Sequence, residues 1–199
     1  MAGVPFVGLT GGLGAGKSEA LRALGELGAA TLSTDAIVHD LLAGDELRDK
    51  VVERLGPEVA PDGRLNRSLI AERVFGDEQA RAWLEGELWP RVGERVAEWK
   101  QQLEALDPPP PAAVVEVPLL FESGMEAVFD ATIAVVADES LREERAAARG
   151  HAAVAERSGR QLTQAEKSQR ADFEVRNDGT LEELRETLWQ VLAKLAPVP

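Results

Sequence analysis

The sequence predicts an α/β fold: a doubly wound parallel five-stranded sheet flanked by helices, with a helical subdomain inserted after the second strand. Three observations predict it. Residues 4 to 21 read as a short apolar run, a glycine-rich loop and a helix-forming stretch. Ala112–Val117 and Ala131–Ala137 are near-continuous apolar runs, the composition of parallel strands buried on both faces. Segments of helical period alternate with these runs, and that alternation around a phosphate-type loop specifies a doubly wound sheet.

The first strand is expected over Val4–Leu9. Gly11 to Ser18 then match G-x-x-x-x-G-K-[ST], the phosphate-binding loop. Glycines let the backbone wrap an anion with successive N–H groups pointing inward. A helix expected over Lys17–Leu27 brings the positive end of its dipole beneath the phosphates, and Gly28 is its stop. Within the loop, Gly12, Leu13, Gly14, Ala15 and Gly16 are the nucleotide-binding backbone. Lys17 reaches the β- and γ-phosphates, and the Ser18 hydroxyl is a candidate Mg²⁺ ligand. The motif implies ATP-type nucleotide binding with Mg²⁺.

Ala30–Ser33 reads as a brief second strand. From Ala36 to about Leu106 the pattern is almost wholly helical, with Ile37, Val38, Leu41 and Leu42, then Leu47, Val51 and Leu55, at helical spacing. Pro57, Pro61 and Gly63 interrupt it, and Ser68–Phe75 resumes it. Glu78–Leu106 is one helix, bent or restarted at Pro90. Asp107 and four prolines form a stiff connector into the third strand. Beyond the fourth strand, helices fit Glu139–Arg149 and Thr163–Arg170, a short strand Phe173–Arg176, and an amphipathic helix Leu181–Leu195. The expected division is one domain over 1–199, its core about 1–35 and 110–199 and its inserted helical subdomain about 36–107.

Composition narrows the function classes. A net charge of −13 argues against broad nucleic-acid binding, which needs a basic face. No window is apolar enough to span a membrane and no secretory pattern opens the chain, so a cytoplasmic location with no membrane partner is expected. The absence of cysteine removes disulfides and thiolate chemistry. Two histidines far apart in sequence argue against a histidine metal site. The four tryptophans, Trp83, Trp89, Trp99 and Trp189, read as packing anchors.

Three constellations could do chemistry. Asp35 lies just past the second strand, where strand C-termini face the ligand crevice. It could orient an acceptor hydroxyl and take its proton, or Ser33, Thr34 or Asp35 could simply cap the next helix. Glu116, at or near the end of the third strand, is either an acid holding Mg²⁺ through water or a partly exposed strand residue. Arg142, Arg145 and Arg149 share one helix face, and Arg157 and Arg160 follow. Such a set can clamp a γ-phosphoryl group, or form a solvated face paired with Glu139, Glu143 and Glu144. In a chain this acidic, five arginines in 19 residues favour the clamp.

Taken together, the motifs resemble those of the dephospho-CoA kinases. The shared stretches are Gly8–Ser18, Asp35 within Thr34-Asp35-Ala36-Ile37, Leu65-Asn66-Arg67 with Val74-Phe75, and Val117-Pro118-Leu119-Leu120-Phe121-Glu122. Near the end, Arg157, Gln161, Arg170-Ala171-Asp172, Asn177 and Gly179–Leu184 follow the same pattern. The likeness covers nearly the whole chain in order, and P-L-L-F-E is far more specific than the phosphate loop.

That resemblance implies a kinase of the P-loop type that moves the ATP γ-phosphoryl group to the ribose 3′-hydroxyl of dephospho-CoA, completing coenzyme A. It implies that Asp35 is the base or orienting group; the phosphate-loop motif adds Lys17, and the arginine spacing Arg142 and Arg149, as candidates that serve the transfer. Asn177 would lie near the adenine, the helical insert would bind the acceptor, and residues about 138–162 would form a lid. The chain would act as a monomer or small homo-oligomer. Ser33 stands where the family often has Asp, which puts a metal role for that position in doubt. Trp89 and Gly93 replace the family's usual His and Arg, which weakens a substrate-phosphate role for 89–95 unless Arg91 or Arg95 substitutes. Glu19 stands where Thr is usual.

Two rival readings remain at this level. A kinase of another small acceptor would share the fold and differ in the insert. A nucleotide-dependent switch or binding module would have no small-molecule acceptor; against it, guanine-nucleotide switch chemistry needs D-x-x-G and N-K-x-D, and the chain has neither.

Overall fold

A computed structural model of the chain describes residues 3–148 and 161–195. The chain forms two compact units, one of residues 1–33 with 100–199 and the other of residues 34–99.

The first unit is built on a five-stranded, all-parallel sheet. Its strands are β1 (Phe6–Gly11), β2 (Ala30–Ser33), β3 (Ala113–Glu116), β4 (Ala131–Val136) and β5 (Phe173–Arg176), in the order β2-β3-β1-β4-β5. β1 is central, and every residue of β1, β3 and β4 is buried, as strands covered on both faces must be. β1 starts and ends two residues later than the apolar run alone suggests. The strand continues because β4 supplies partners to its end, Thr10 opposite Ala134 and Gly11 opposite Val135. Pairing thus carries the chain straight into the phosphate loop.

Helix α1 (Lys17–Glu26) packs Ala20, Ala23 and Leu24 against Leu184, Leu188, Val191 and Leu192 of a C-terminal helix, Leu181–Leu195. Gly28 adopts a left-handed φ of 94° and closes α1, with the Ala29 N–H donating to the Leu24 carbonyl at 3.0 Å.

The second unit is helical. It comprises α2 (Thr34–Ala43), α3 (Asp45–Leu55), α4 (Arg67–Val74) and most of α5 (Glu78–Glu104). Its core gathers Leu42, Leu47, Val51, Leu55, Val59, Ile70, Leu84 and Leu88. α2 begins two residues before the expected Ala36, so Thr34 and Asp35 form its first turn. Asn66, from the Leu65-Asn66-Arg67 stretch, caps α4, its side chain accepting from the N–H groups of Ser68 and Leu69 at 3.0 and 3.2 Å. α5 runs unbroken through Pro90. Pro90 carries no N–H, so the Gly86 carbonyl four residues earlier does not receive the usual helical bond from position 90. Arg91 folds back to donate to the Glu87 carbonyl at 2.6 Å.

Among the described residues the first unit also holds α6 (Glu139–Ala148), α7 (Gln164–Arg170) and α8 (Leu181–Leu195). α7 opens with a capping box. Thr163 Oγ1 accepts from the Glu166 N–H at 3.2 Å while the Glu166 carboxylate accepts from the Thr163 hydroxyl and N–H, both at 2.7 Å. The hydroxyl bond first, and the N–H bond second, hold the Glu166 carboxyl below the usual carboxylate range. Thr180 and Glu183 build the same reciprocal cap on α8, so part of the closing family pattern is helix-start chemistry.

Candidate active site

The phosphate loop is shaped by two glycines that no other residue could replace without strain. Gly14 and Gly16 have φ of 74° and 93°, in the left-handed region. A Cβ on Gly14 would overlap the Arg142 carbonyl oxygen, and one on Gly16 would overlap Asn177 Nδ2. The loop turns on an Ala15 N–H bond to the Gly12 carbonyl at 3.2 Å and delivers Lys17 as the first residue of α1. Lys17 Nζ donates to the Gly11 and Gly12 carbonyls, each at 3.1 Å, which holds the ammonium against the loop. Ser18 follows in the first turn of α1 and is exposed. Loop N–H groups, a helix N-terminus and one ammonium are the components of a polyphosphate cradle.

Two side chains brace that loop from outside, and a third supports one of them. Arg142 Nε donates to the Leu13 carbonyl at 3.0 Å. Asn177 Nδ2 donates to the Ala15 carbonyl at 2.9 Å, and the Asn177 carbonyl accepts from Arg145 Nη1 at 3.0 Å. Arg142 and Arg145, one turn apart on α6, are therefore turned onto the phosphate loop and β5's end. Arg149, Arg157, Arg160 and much of the expected lid at 138–162 lie outside the described residues.

Glu116 closes β3 opposite Leu9 of β1 and Ser33 of β2. It is 6% exposed, so of the two readings open for it the partly exposed strand residue gives way to a buried carboxylate that has a partner. Central position in a sheet covered on both faces is the reason. Asp35 belongs to the helical unit, where it is exposed in the first turn of α2.

The apolar Val117–Glu122 segment ends in a buried ion pair that sequence reasoning missed. Lys167 of α7 is 1% exposed, with Nζ 2.9 Å from Glu122 Oε1 and 2.7 Å from the Pro118 carbonyl. Lysine within Gln-Ala-Glu-Lys-Ser-Gln-Arg reads as a surface residue, and nothing in that string signals burial. Asp172 is also structural, accepting from the Thr132 N–H and hydroxyl, both at 2.8 Å.

A family model described as dephospho-CoA kinase matches residues 5–183. The chain belongs to the dephospho-CoA kinase family. It is 39% identical to a dephospho-CoA kinase of Protochlamydia amoebophila, over 95% of each chain. A Moorella thermoacetica dephospho-CoA kinase is 36% identical, over 95% of this chain and 92% of its own. Among solved structures, a Thermus thermophilus protein superposes with a TM-score of 0.82 at 34% identity, covering 98% of this chain and all of its own. A dephospho-CoA kinase from Campylobacter jejuni superposes at 0.65 and 23% identity, a likeness of fold, covering 98% and 99%. Membership makes the chain an ATP-using kinase and agrees with the parallel sheet and phosphate loop described above.

The loop geometry carries a prediction. Gly16→Ala forces a left-handed non-glycine residue, costing about 1–3 kcal/mol, and displaces the Asn177 amide. Denaturant unfolding should show that loss, and calorimetric titration should show weakened ATP binding. Parental values in both would mean the loop does not need its glycine.

Proposed function

We propose that this chain transfers the γ-phosphoryl group of ATP to the ribose 3′-hydroxyl of dephospho-CoA. The observation that carries the reading is the cradle of residues 11–18 with the Lys17 ammonium held in it, in a member of this family. Lys17 and the loop N–H groups bind the β- and γ-phosphates and offset charge that shifts toward the leaving oxygen. Arg142, whose Nε bonds the Leu13 carbonyl, adds positive charge beside the loop; Arg149, expected to share that role, lies outside the described residues. Asp35 accepts a hydrogen bond from the 3′-hydroxyl, aims its oxygen at the γ-phosphorus and receives its proton. The new bond joins that oxygen to phosphorus as the bond to the β-γ bridging oxygen breaks, leaving ADP. The transition state is loose, so alignment and charge contribute more than proton removal.

The residues suit Mg²⁺. Ser18 and Glu116 offer hard oxygen donors, and among the described residues no cluster of three acids or histidines forms a protein-only cage. An ion here would rest mainly on phosphate oxygens, with Ser18 as direct ligand and Glu116 acting through water. Bound, it would neutralise phosphate charge.

The helical unit, about 36–107 in the sequence reading, supplies acceptor contacts, and residues about 138–162 form the lid. Asn177 supports the loop beside the nucleotide. Asn177→Ala should therefore raise KM for ATP and GTP by a similar factor, about 10-fold for a lost buried bond. A change confined to ATP would assign Asn177 to the adenine instead.

Offering dephospho-CoA, nucleosides and nucleoside monophosphates in parallel with ATP and Mg²⁺ tests the reading. The highest kcat/KM is expected for dephospho-CoA, and preference for another acceptor would reject it.

A further inference from the structure

Lys167 heads the fully buried side chains by size among the described residues, yet the transfer just outlined makes no use of it. Its ammonium meets three acceptors: the Pro118 carbonyl at 2.7 Å, Glu122 Oε1 at 2.9 Å and Thr10 Oγ1 at 3.4 Å. The Thr10 hydroxyl donates to the same Pro118 carbonyl at 3.2 Å. Glu122 Oε1 also accepts the Leu162 N–H at 2.9 Å, while Glu122 Oε2 is buried with no hydrogen-bond partner. Four pieces of chain thus converge on one charge: the end of β1, the segment after β3, the residue before the α7 cap, and α7 itself.

A buried ion pair is a poor source of stability. Desolvation offsets much of the attraction, and apolar replacement of both partners is often neutral. The unsatisfied Glu122 oxygen adds to the cost. What a converging buried charge supplies well is a fixed spacing between the segments it joins. The spacing here bears on the reaction. Thr10 directly precedes Gly11, whose carbonyl accepts from Lys17 Nζ. Pro118 lies two residues past Glu116, and the Val117 N–H ties that segment to the Leu9 carbonyl at 2.8 Å.

We propose that Lys167, paired with Glu122, is a positioning residue for phosphoryl transfer. It holds the ends of β1 and β3 at the separation that places the Lys17 ammonium and the Glu116 carboxylate around the nucleotide phosphates. The inference rests on the transferase reading and adds to it a residue that touches neither substrate.

Thr10→Val is the cleanest test, because valine keeps the side-chain shape and leaves Lys167 bonded to Pro118 and Glu122. The melting temperature should move by no more than about 4 °C. The value of kcat should fall, and the Kd for inorganic tripolyphosphate should rise, each by about 10-fold or more. KM for dephospho-CoA should stay at the parental value. The double variant Lys167→Met/Glu122→Leu removes the charges together. If it melts like the parent, it should show the same losses, and parental kcat with parental tripolyphosphate affinity would overturn the proposal. If it does not fold, Thr10→Val decides alone. Unchanged kcat and Kd overturn the proposal, as does a loss that only follows a large fall in melting temperature. Should the parent chain make no coenzyme A, the transferase reading fails, while tripolyphosphate affinity still reads the positioning effect.

Discussion

Asp35→Asn is expected to lower kcat by about 10²-fold or more while leaving KM for ATP at its parental value. Asparagine fills the same space and can still accept a hydrogen bond, but it has neither the charge nor the basicity to take the acceptor proton. Asp35 stands in the first turn of α2, exposed, where a carboxylate also interacts favourably with the helix dipole. That second role has a different signature. If Asp35 only supports the helix start, losing its charge costs about 0.3–1 kcal/mol of stability and turnover survives. Steady-state kinetics and thermal melts on the same variant separate the two. Near-parental kcat with a lowered melting temperature would make Asp35 a helix-start residue, and the acceptor hydroxyl would need another partner.

Lys17→Ala should be comparably severe. Removing one preorganised charge from the transferring phosphates typically costs about 10²–10³-fold in kcat. Here the ammonium also ties the Gly11 and Gly12 carbonyls together, so the loop itself loses a clasp. Tripolyphosphate affinity should therefore fall with kcat, whereas KM for dephospho-CoA should hold. A variant that bound tripolyphosphate normally and turned over at the parental rate would remove Lys17 from the transfer.

Much of this architecture is legible in the residues. The Val114-Val115 and Ile133–Val136 runs announce buried parallel strands because both faces are covered and no alternation is needed. The glycine spacing of the phosphate loop is equally direct, since only glycine accepts the left-handed backbone at Gly14 and Gly16. What escaped was set by tertiary partners. β1 extends through Thr10 and Gly11 because β4 pairs with them, which their own propensities do not foretell. Pro90 neither ends nor restarts α5, which runs through it as one helix. Lys167 looks like any helix-surface lysine until Pro118 and Glu122 enclose it. Glu122, the charged end of a family-specific apolar stretch, is occupied in that pair. Arg142 Nε and Asn177 Nδ2 donate to the loop carbonyls of Leu13 and Ala15, bonds the sequence reading did not include. Hydrogen-bond partners so distant in sequence leave no local trace.

The central claim is that phosphorus passes from ATP to one particular sugar hydroxyl. Phosphorus NMR of a reaction containing the chain, ATP, Mg²⁺ and dephospho-CoA reads this directly. A new phosphomonoester resonance coupled to the ribose 3′-proton, growing in step with ADP, is the predicted result. Inorganic phosphate appearing at the same rate with or without dephospho-CoA, and no sugar phosphate, would contradict it.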